Sequence, residues 1–253
     1  MPPLATVHHG DALAVLRELP TASVDAVITD PPYSSGGMMR SDRTAGTVSK
    51  YLDAKTAARY VEFSGDNRDA RSWSYWMALW LGEALRITKP GGVLVMFSDW
   101  RQLPSATDAL QAGGWIWRGV VTWQKPDARP QRGRFTAACE FAVWGTNGPR
   151  PMAGPCLPGH YVAQAPRPRQ HPTEKPLEVM RQLVRIAPPG GVVLDPFAGA
   201  GTTGVAALAE GRQFIGVELV DHYHAIAAQR VREAVQDYQL PPDQLGLMSK
   251  AQA

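Results

Sequence analysis

The sequence predicts an α/β protein whose sheet is mainly parallel and covered by helices on both faces. Two observations carry that expectation. Short apolar runs of strand length, SVDAVIT, GGVLVMF, GVVL and QFIGV, end at Asp30, Ser98, Asp195 and Glu218 and read as strands buried on both sides. Stretches with helical spacing separate them, and strand–helix alternation leads to a parallel sheet.

Taken in order, Asp11 to Leu19 places Leu13, Leu16 and Leu19 on one helical face, and the strand into Asp30 follows. A second helix is expected from Ser74 to Ile87, with Trp76, Leu79, Trp80 and Leu85 inward, ending at Lys89-Pro90-Gly91-Gly92. Leu177, Met180, Val184 and Ala187 share a face, with Pro176 at the first turn. A short helix ends near Gly211, and a last one runs from Asp221 to about Gln236. Two stretches break this rhythm. Residues 34–72 are polar and aperiodic, which marks a functional or mobile loop. Residues 124–170 hold eight prolines and read as a loop-rich insertion. The tail after Leu240 is expected to fray.

With 253 residues, 44% of them hydrophobic and 19% charged, the chain suits one large domain, 1–253. Its net charge of +3 is mild, but the distribution is uneven. From Arg118 to Gln170 there are eight Lys/Arg against Asp127 and Glu140, a net of +6 that leaves the remainder at −3. Such a block fits a polyanion-facing surface, or a solvated arginine-rich loop. Cys139 and Cys156 make neither a CxxC pair nor a disulfide framework. The opening MPPLATVHHGDALAVL lacks a long apolar stretch, and no apolar run approaches membrane-spanning length. The expectation is a cytoplasmic protein without a membrane partner. His8, His9, His222 and His224 have no partners at metal-ligand intervals, so no metal is expected. The tryptophans at 73, 76, 80, 115, 117 and 123 read as packing, and Ser98-Asp99-Trp100 as a helix cap or a pocket wall.

Asp30-Pro31-Pro32-Tyr33 follows a strand directly. An exocyclic base amine is a poor nucleophile because its lone pair is delocalised into the ring. A carboxylate and a backbone carbonyl that accept its N–H hydrogens localise that pair. Prolines stiffen the backbone and remove competing N–H groups, and an aromatic can stack on a base taken out of the duplex. The plainer reading is a proline turn with a packing tyrosine.

Asp195-Pro196-Phe197-Ala198-Gly199-Ala200-Gly201-Thr202-Thr203 lies between a strand and a helix. Its glycines allow close backbone approach and present helix N–H groups. Gly199, Gly201 and Gly204 match the GxGxxG dinucleotide pattern, with Glu218 at the next strand end as a ribose acceptor. Asp195 would repel a pyrophosphate yet suit the ammonium of a methionine moiety. S-adenosylmethionine, which has a ribose and no phosphate, is therefore the expected cofactor.

DPPY at 30–33 ahead of DPFAGAGTT at 195–203 resembles the amino-methyltransferases of DNA, in the permuted group whose catalytic motif precedes the cofactor motif. The resemblance covers most of the chain and implies a doubly wound, mostly parallel seven-stranded sheet. Gly10-Asp11 looks like the opening segment, with Asp11 near the cofactor adenine. His171 to Pro176 (HPTEKP) looks like the segment before the cofactor motif. In it, Thr173 and Lys175 are candidates for the methionine carboxylate or for capping the next helix. FIGVE at 214–218 looks like the ribose-binding strand, and VVTWQK and CEFAVW look like the flanks of the target-recognition region. That region would fall within 124–170, with Lys125, Arg129, Arg132 and Arg134 toward DNA and the loop 34–72 over the base site.

The implied activity is direct methyl transfer to a flipped-out base in double-stranded DNA, in a restriction-modification setting. Asp30 and the Pro31 carbonyl would take the amine, Pro32 would stiffen the turn and Tyr33 would stack. Asp195, Phe197, Gly199, Gly201, Thr202 and Glu218 would serve the cofactor. A leading Asp favours adenine N6, while cytosine N4, RNA and protein amides are the rival substrates. A non-catalytic DNA-binding regulator and a nicotinamide oxidoreductase are the readings outside the class. Permuted members often pair, so a homodimer is admitted, although no residue marks an interface.

Overall fold

The computed structural model describes residues 4–34, 68–130 and 132–236. The loop expected over 34–72 falls largely outside them, and the expected tail falls wholly outside. In chain order the elements are β1 (Ala5–His9), α1 (Ala12–Glu18), β2 (Val24–Thr29), α2 (Ala70–Ile87), β3 (Thr88–Ser98) and α3 (Leu103–Ala112). Then come β4 (Ile116–Gln124), β5 (Cys139–Thr146), β6 (His160–Val162), α4 (Leu177–Val184), β7 (Val192–Asp195), α5 (Thr202–Ala209), β8 (Gln213–Glu218) and α6 (Asp221–Gln236).

These strands form one sheet in the order β1-β8-β7-β2-β3-β5-β4-β6. The run from β1 to β3 is parallel, and β5 lies antiparallel between β3 and β4. β6 pairs parallel with β4 at the edge. The sheet therefore has eight strands where seven were expected. The addition, three residues among prolines and glycines, is too short to show a period. The segment 124–170 needs a larger correction, because it is not simply an insertion: β5 sits inside the sheet, with Ala142 and Val143 buried. Its short apolar run is hidden among the flanking prolines.

Alternation along β3 shows how the two faces are filled. Val93, Val95 and Phe97 belong to one core, with Val179, Met180, Leu183 and Val184 of α4, Ala206 and Ala207 of α5 and Val231 of α6. Leu94 and Met96 belong to the other, with Leu16 of α1, Trp73 to Ile87 of α2 and Ala106 to Leu110 of α3. Consecutive strand residues point to opposite faces, so the doubly wound arrangement follows from strands apolar on both sides. Helix α2 starts earlier than expected because the Asp69 carboxylate accepts the Arg71 and Ser72 amides. Its buried stripe is Trp73, Met77, Trp80, Leu81, Ala84 and Ile87, whereas the expected Leu79 is exposed.

The third glycine of the cofactor motif sets how closely α5 lies on the sheet. A Cβ on Gly204 would stand 2.6 Å from the Phe214 ring and 2.8 Å from Val231, and neither can retreat within a close-packed core. Gly204→Ala is expected to cost about 1–3 kcal/mol, read as a lower urea midpoint at unchanged slope. An unchanged midpoint would mean that α5 can ride away from β8.

Candidate active site

Strand order reverses between β7 and β2. From there the chain winds through β3 in one direction and β8 in the other, and open α/β sheets bind ligands beyond the strand ends at such a point. Asp30 follows β2, Asp195 and Glu218 end β7 and β8, and Gly10-Asp11 follows β1. A cleft of about 870 Å³, open to solvent, runs past Asp11, Asp30, Tyr33, Phe197, Gly199 and Glu218. A smaller cleft of about 410 Å³ shares the wall at Asp30, Phe197 and Gly199 and reaches Lys175, Asp195 and Thr202. The two motifs, far apart in sequence, thus meet.

Asp195 is buried and accepts three hydrogen bonds. Its Oδ1 accepts the Thr29 hydroxyl at 2.6 Å and the Phe197 amide at 3.0 Å, and its Oδ2 accepts the Thr203 hydroxyl at 2.6 Å. The carboxylate therefore shapes the turn and ties it to β2. It also lines the smaller cleft, beside Lys175 and Thr202. Burial pushes its pKa up to about 6, against the pull of those three donors. Glu218 does face the main cleft: Oε2 accepts the Gly199 amide and Oε1 the Val220 amide, both at 2.9 Å. A carboxylate has roughly four lone-pair sites, so acceptor capacity remains.

Gly201 caps α5 with φ +81, and a Cβ there would come within 3.0 Å of Ala227. The Thr202 hydroxyl donates to Glu174 Oε1, which Arg230 also holds at 3.0 Å. The start of α5 thus already carries a carboxylate, which is poor company for a pyrophosphate. Phe197 meets Trp76 and Trp80 edge-on at 5.5 and 5.1 Å. Asp11 caps α1 through the Ala14 amide at 3.0 Å and lines the cleft.

On the other side, the Tyr33 hydroxyl donates to Asp30 Oδ1 at 2.6 Å, and the Trp73 indole donates to the Pro32 carbonyl at 2.8 Å. Pro31 lines the main cleft beside Asp30. Lys175 is placed otherwise than expected. Its buried ammonium lies 2.5 Å from Asp30 Oδ2 and 3.4 Å from Glu140 Oε2, so it faces the candidate catalytic carboxylate. Burial above all, with the Glu140 charge, leaves the Asp30 pKa above the ordinary carboxylate value, although Lys175 and the Tyr33 hydroxyl pull it down. Burial also disfavours charge on Lys175 and Glu140, but the attraction between opposite charges prevails at both. Thr173 bonds His171 through Oγ1 and lines both clefts. The His171 pKa falls to about 3 through burial, then Lys175, so its ring is neutral at ordinary pH.

The basic residues divide. Arg129, Arg132 and Arg134 are exposed on the loop between β4 and β5. Lys125 instead pairs with Glu140 at 3.0 Å, which removes it from the expected free cations. Sequence reasoning missed Glu140, which was counted only as an acid in a basic segment, and Arg68, which lines the cleft. It also treated Trp73 and Trp76 as packing alone, because helical spacing does not reveal an indole aimed at a neighbouring loop. Among the described residues, no group of His, Cys, Asp and Glu could hold a metal, and no helix is long and apolar enough to cross a membrane.

The raised Asp195 pKa has a definite sign in stability. Between about pH 4 and 6 the unfolded chain loses this proton and the folded one keeps it, so rising pH favours unfolding through this group. Asp195→Asn can keep all three bonds if the Thr203 hydroxyl turns to accept. Its stability deficit relative to the parent should therefore shrink by about 2 kcal/mol between pH 4 and 7. Denaturant titrations at both pH values read it, and a deficit independent of pH would show that burial does not raise the group.

Comparison with known proteins agrees with this geometry. A family model for DNA methylases, of the N6/N4 methyltransferase type, matches residues 24–154 and 155–229. YubD of Escherichia coli (strain K12), provisionally named a methylase, is 29% identical over 224 residues, 88% of each chain. The DNA adenine methyltransferase YhdJ of the same organism is 27% identical over 265 residues, 89% of this chain and 82% of that one. Among solved structures, TTHA0409 of Thermus thermophilus, complexed with S-adenosyl-L-methionine, superposes with a TM-score of 0.65 at 24% identity, covering 93% and 98% of the chains. The cytosine-N4-specific PvuII DNA methyltransferase gives 0.69 at 17% identity over 92% and 90%. With the match spanning most of its length and both motifs meeting at one cleft, the chain belongs to the N6/N4 DNA methylase family.

Proposed function

We propose that this DNA methyltransferase transfers the methyl group of S-adenosylmethionine to adenine N6 of a base flipped out of double-stranded DNA. The observation that carries the reading is the single cleft with Glu218 on one wall and Asp30 on another. When bound, the cofactor supplies an electrophilic methyl on a sulfonium. The carboxylates of Asp11 and Glu218 suit a ligand with cationic sulfonium and ammonium groups, and they oppose the phosphates of a nicotinamide dinucleotide. Glu218 accepts the ribose hydroxyls, and Asp11 lies toward the adenine end. Phe197 packs beside the ligand, Gly199 lets it approach the backbone, and Thr173 reaches its methionine end.

Asp30 and the Pro31 carbonyl accept the two N–H hydrogens of the target amine and so turn its lone pair toward the methyl group. Pro32 is anchored by Trp73, which holds that carbonyl's turn rigid, and such preorganisation lowers the barrier. Tyr33, whose hydroxyl is tied to Asp30, offers its ring to the extruded base. The leading carboxylate and the YhdJ likeness support adenine, while cytosine N4 is the second reading, supported by the PvuII likeness. The exposed Arg129, Arg132 and Arg134 support a DNA-facing role for the loop after β4.

Incubation with unmethylated DNA and labelled S-adenosylmethionine, followed by nucleoside separation, should put label in N6-methyladenine; label in N4-methylcytosine would change the base and keep the site. Asp30→Ala should abolish labelling and leave cofactor affinity within about threefold, because it removes a group needed at the transition state rather than for cofactor binding. Neutralising Arg132 and Arg134 should weaken DNA binding and flatten its log–log salt dependence by about two, roughly one per lost phosphate contact. A salt slope that stays put would place the DNA face elsewhere.

A further inference from the structure

Four charged side chains alternate in sign through the floor of the site: Asp30, Lys175, Glu140 and Lys125. The contacts are 2.5, 3.4 and 3.0 Å in turn. Lys175 is 6% exposed, and its ammonium also stands 5.3 Å from the Tyr33 ring and 5.1 Å from the Phe97 ring. A cation buried this deeply needs partners that repay its lost hydration, and here those partners are Asp30 and Glu140. The second carboxylate is the telling member. A lysine placed only to neutralise Asp30 needs one acid, whereas Glu140 comes from a different strand, leans 3.4 Å from the Tyr33 hydroxyl and is itself held by Lys125.

We propose that Lys175 and Glu140 are positioning residues for the methyl-transfer step, which together fix the charge and orientation of the Asp30 carboxylate. The proposal rests on the catalytic reading of Asp30. That role is served best by an ionised acceptor, since a protonated carboxyl accepts more weakly and carries a donor that can turn toward the amine. The groups facing Asp30 are Lys175 from the segment before α4, Glu140 from β5, Tyr33 from its own motif and Asp195 from β7. Burial and Glu140 favour protonation, while Lys175 and the Tyr33 hydroxyl oppose it. Glu140 also keeps Lys175 charged, with Lys125 behind it and the neutral His171 ring on the far side. Lys175 thereby gains a role toward the reacting amine instead of toward the methionine carboxylate.

The test measures kcat against pH, together with cofactor affinity by calorimetry, for the full chain and for Lys175→Met, Lys175→Arg, Glu140→Gln and Asp30→Ala. Lys175→Met should lose about tenfold or more in kcat and move the acid limb up by about one pH unit, with cofactor Kd within about threefold. Lys175→Arg should recover part of kcat, because the charge returns without the ammonium geometry. Glu140→Gln should move the acid limb down by a similar amount, a displacement that loss of packing alone does not produce.

A Lys175→Met enzyme with about tenfold weaker cofactor binding and an unmoved limb overturns the proposal and returns Lys175 to the methionine carboxylate. If Lys175→Met does not fold, Glu140→Gln decides alone, and a limb that stays in place overturns the proposal. Asp30→Ala separates the two levels. Retained transfer there overturns the catalytic reading and this proposal with it, whereas a dead Asp30→Ala beside unmoved limbs overturns the positioning role only.

Discussion

A buried carboxylate joins the halves of this enzyme. Asp195 takes one hydroxyl from Thr29 in β2, one from Thr203 in α5 and the amide of Phe197 in its own turn. A charge taken from water is tolerated when donors surround it, and these donors come from the cofactor motif and from the strand that leads into the catalytic one. Asp25 makes the matching clip at the other end of the same strands, where Oδ2 accepts the Val192 amide at 2.8 Å and Lys89 pairs with the same carboxylate. β2 and β7 are in register at Ala26–Val193 and Val27–Leu194. The side-chain clips therefore fix what a short ladder leaves loose. Shifting either clip would move the cofactor turn against the catalytic turn and open the shared cleft.

Much of this was legible in the residues. The parallel strands stood out because their burial on both faces leaves uninterrupted apolar runs, and DPPY and the glycine turn stood out because few other chemistries use those residues after a strand. What stayed hidden depends on contacts between distant segments. Glu140 reads as one acid in a basic stretch, and only the pairing of β5 with β3 and β4 brings it to Lys175. Asp195 had the right residue type for a cationic ligand, yet Thr29, well upstream, decides that it faces inward. Lys125 belonged to a basic block by count, and a single salt bridge removes it. The buried stripe of α2 differs for a related reason: Trp76 and Leu79 are as apolar as Trp73 and Met77, and packing against β3 and α3 decides which of them turn inward.

The polar floor of the site is costly in stability terms. Buried ion pairs seldom beat apolar residues of equal volume, and the same layer holds Phe97 and Trp123, which show that aromatic packing fits here. Four alternating charges in such a place fit the proposed positioning of Asp30 better than a contribution to folding. Tyr33, Asp30, Lys175 and Glu140 each constrain a neighbour, so the geometry at the amine-binding carboxylate is defined before any base arrives.

The strand order has a consequence for how the molecule comes into being. β1 and β2 are neighbours in sequence, joined by α1, but two strands separate them in the sheet, and both come from beyond residue 190. Synthesis therefore leaves β1 without a strand partner and one edge of β2 unpaired until β7 and β8 arrive. A chain interrupted before that point presents two open strand edges to its surroundings, the kind of surface that recruits other chains into aggregates. Partial products of this gene are a solubility hazard before they are anything else, and the nascent protein depends on reaching its C-terminal strands quickly.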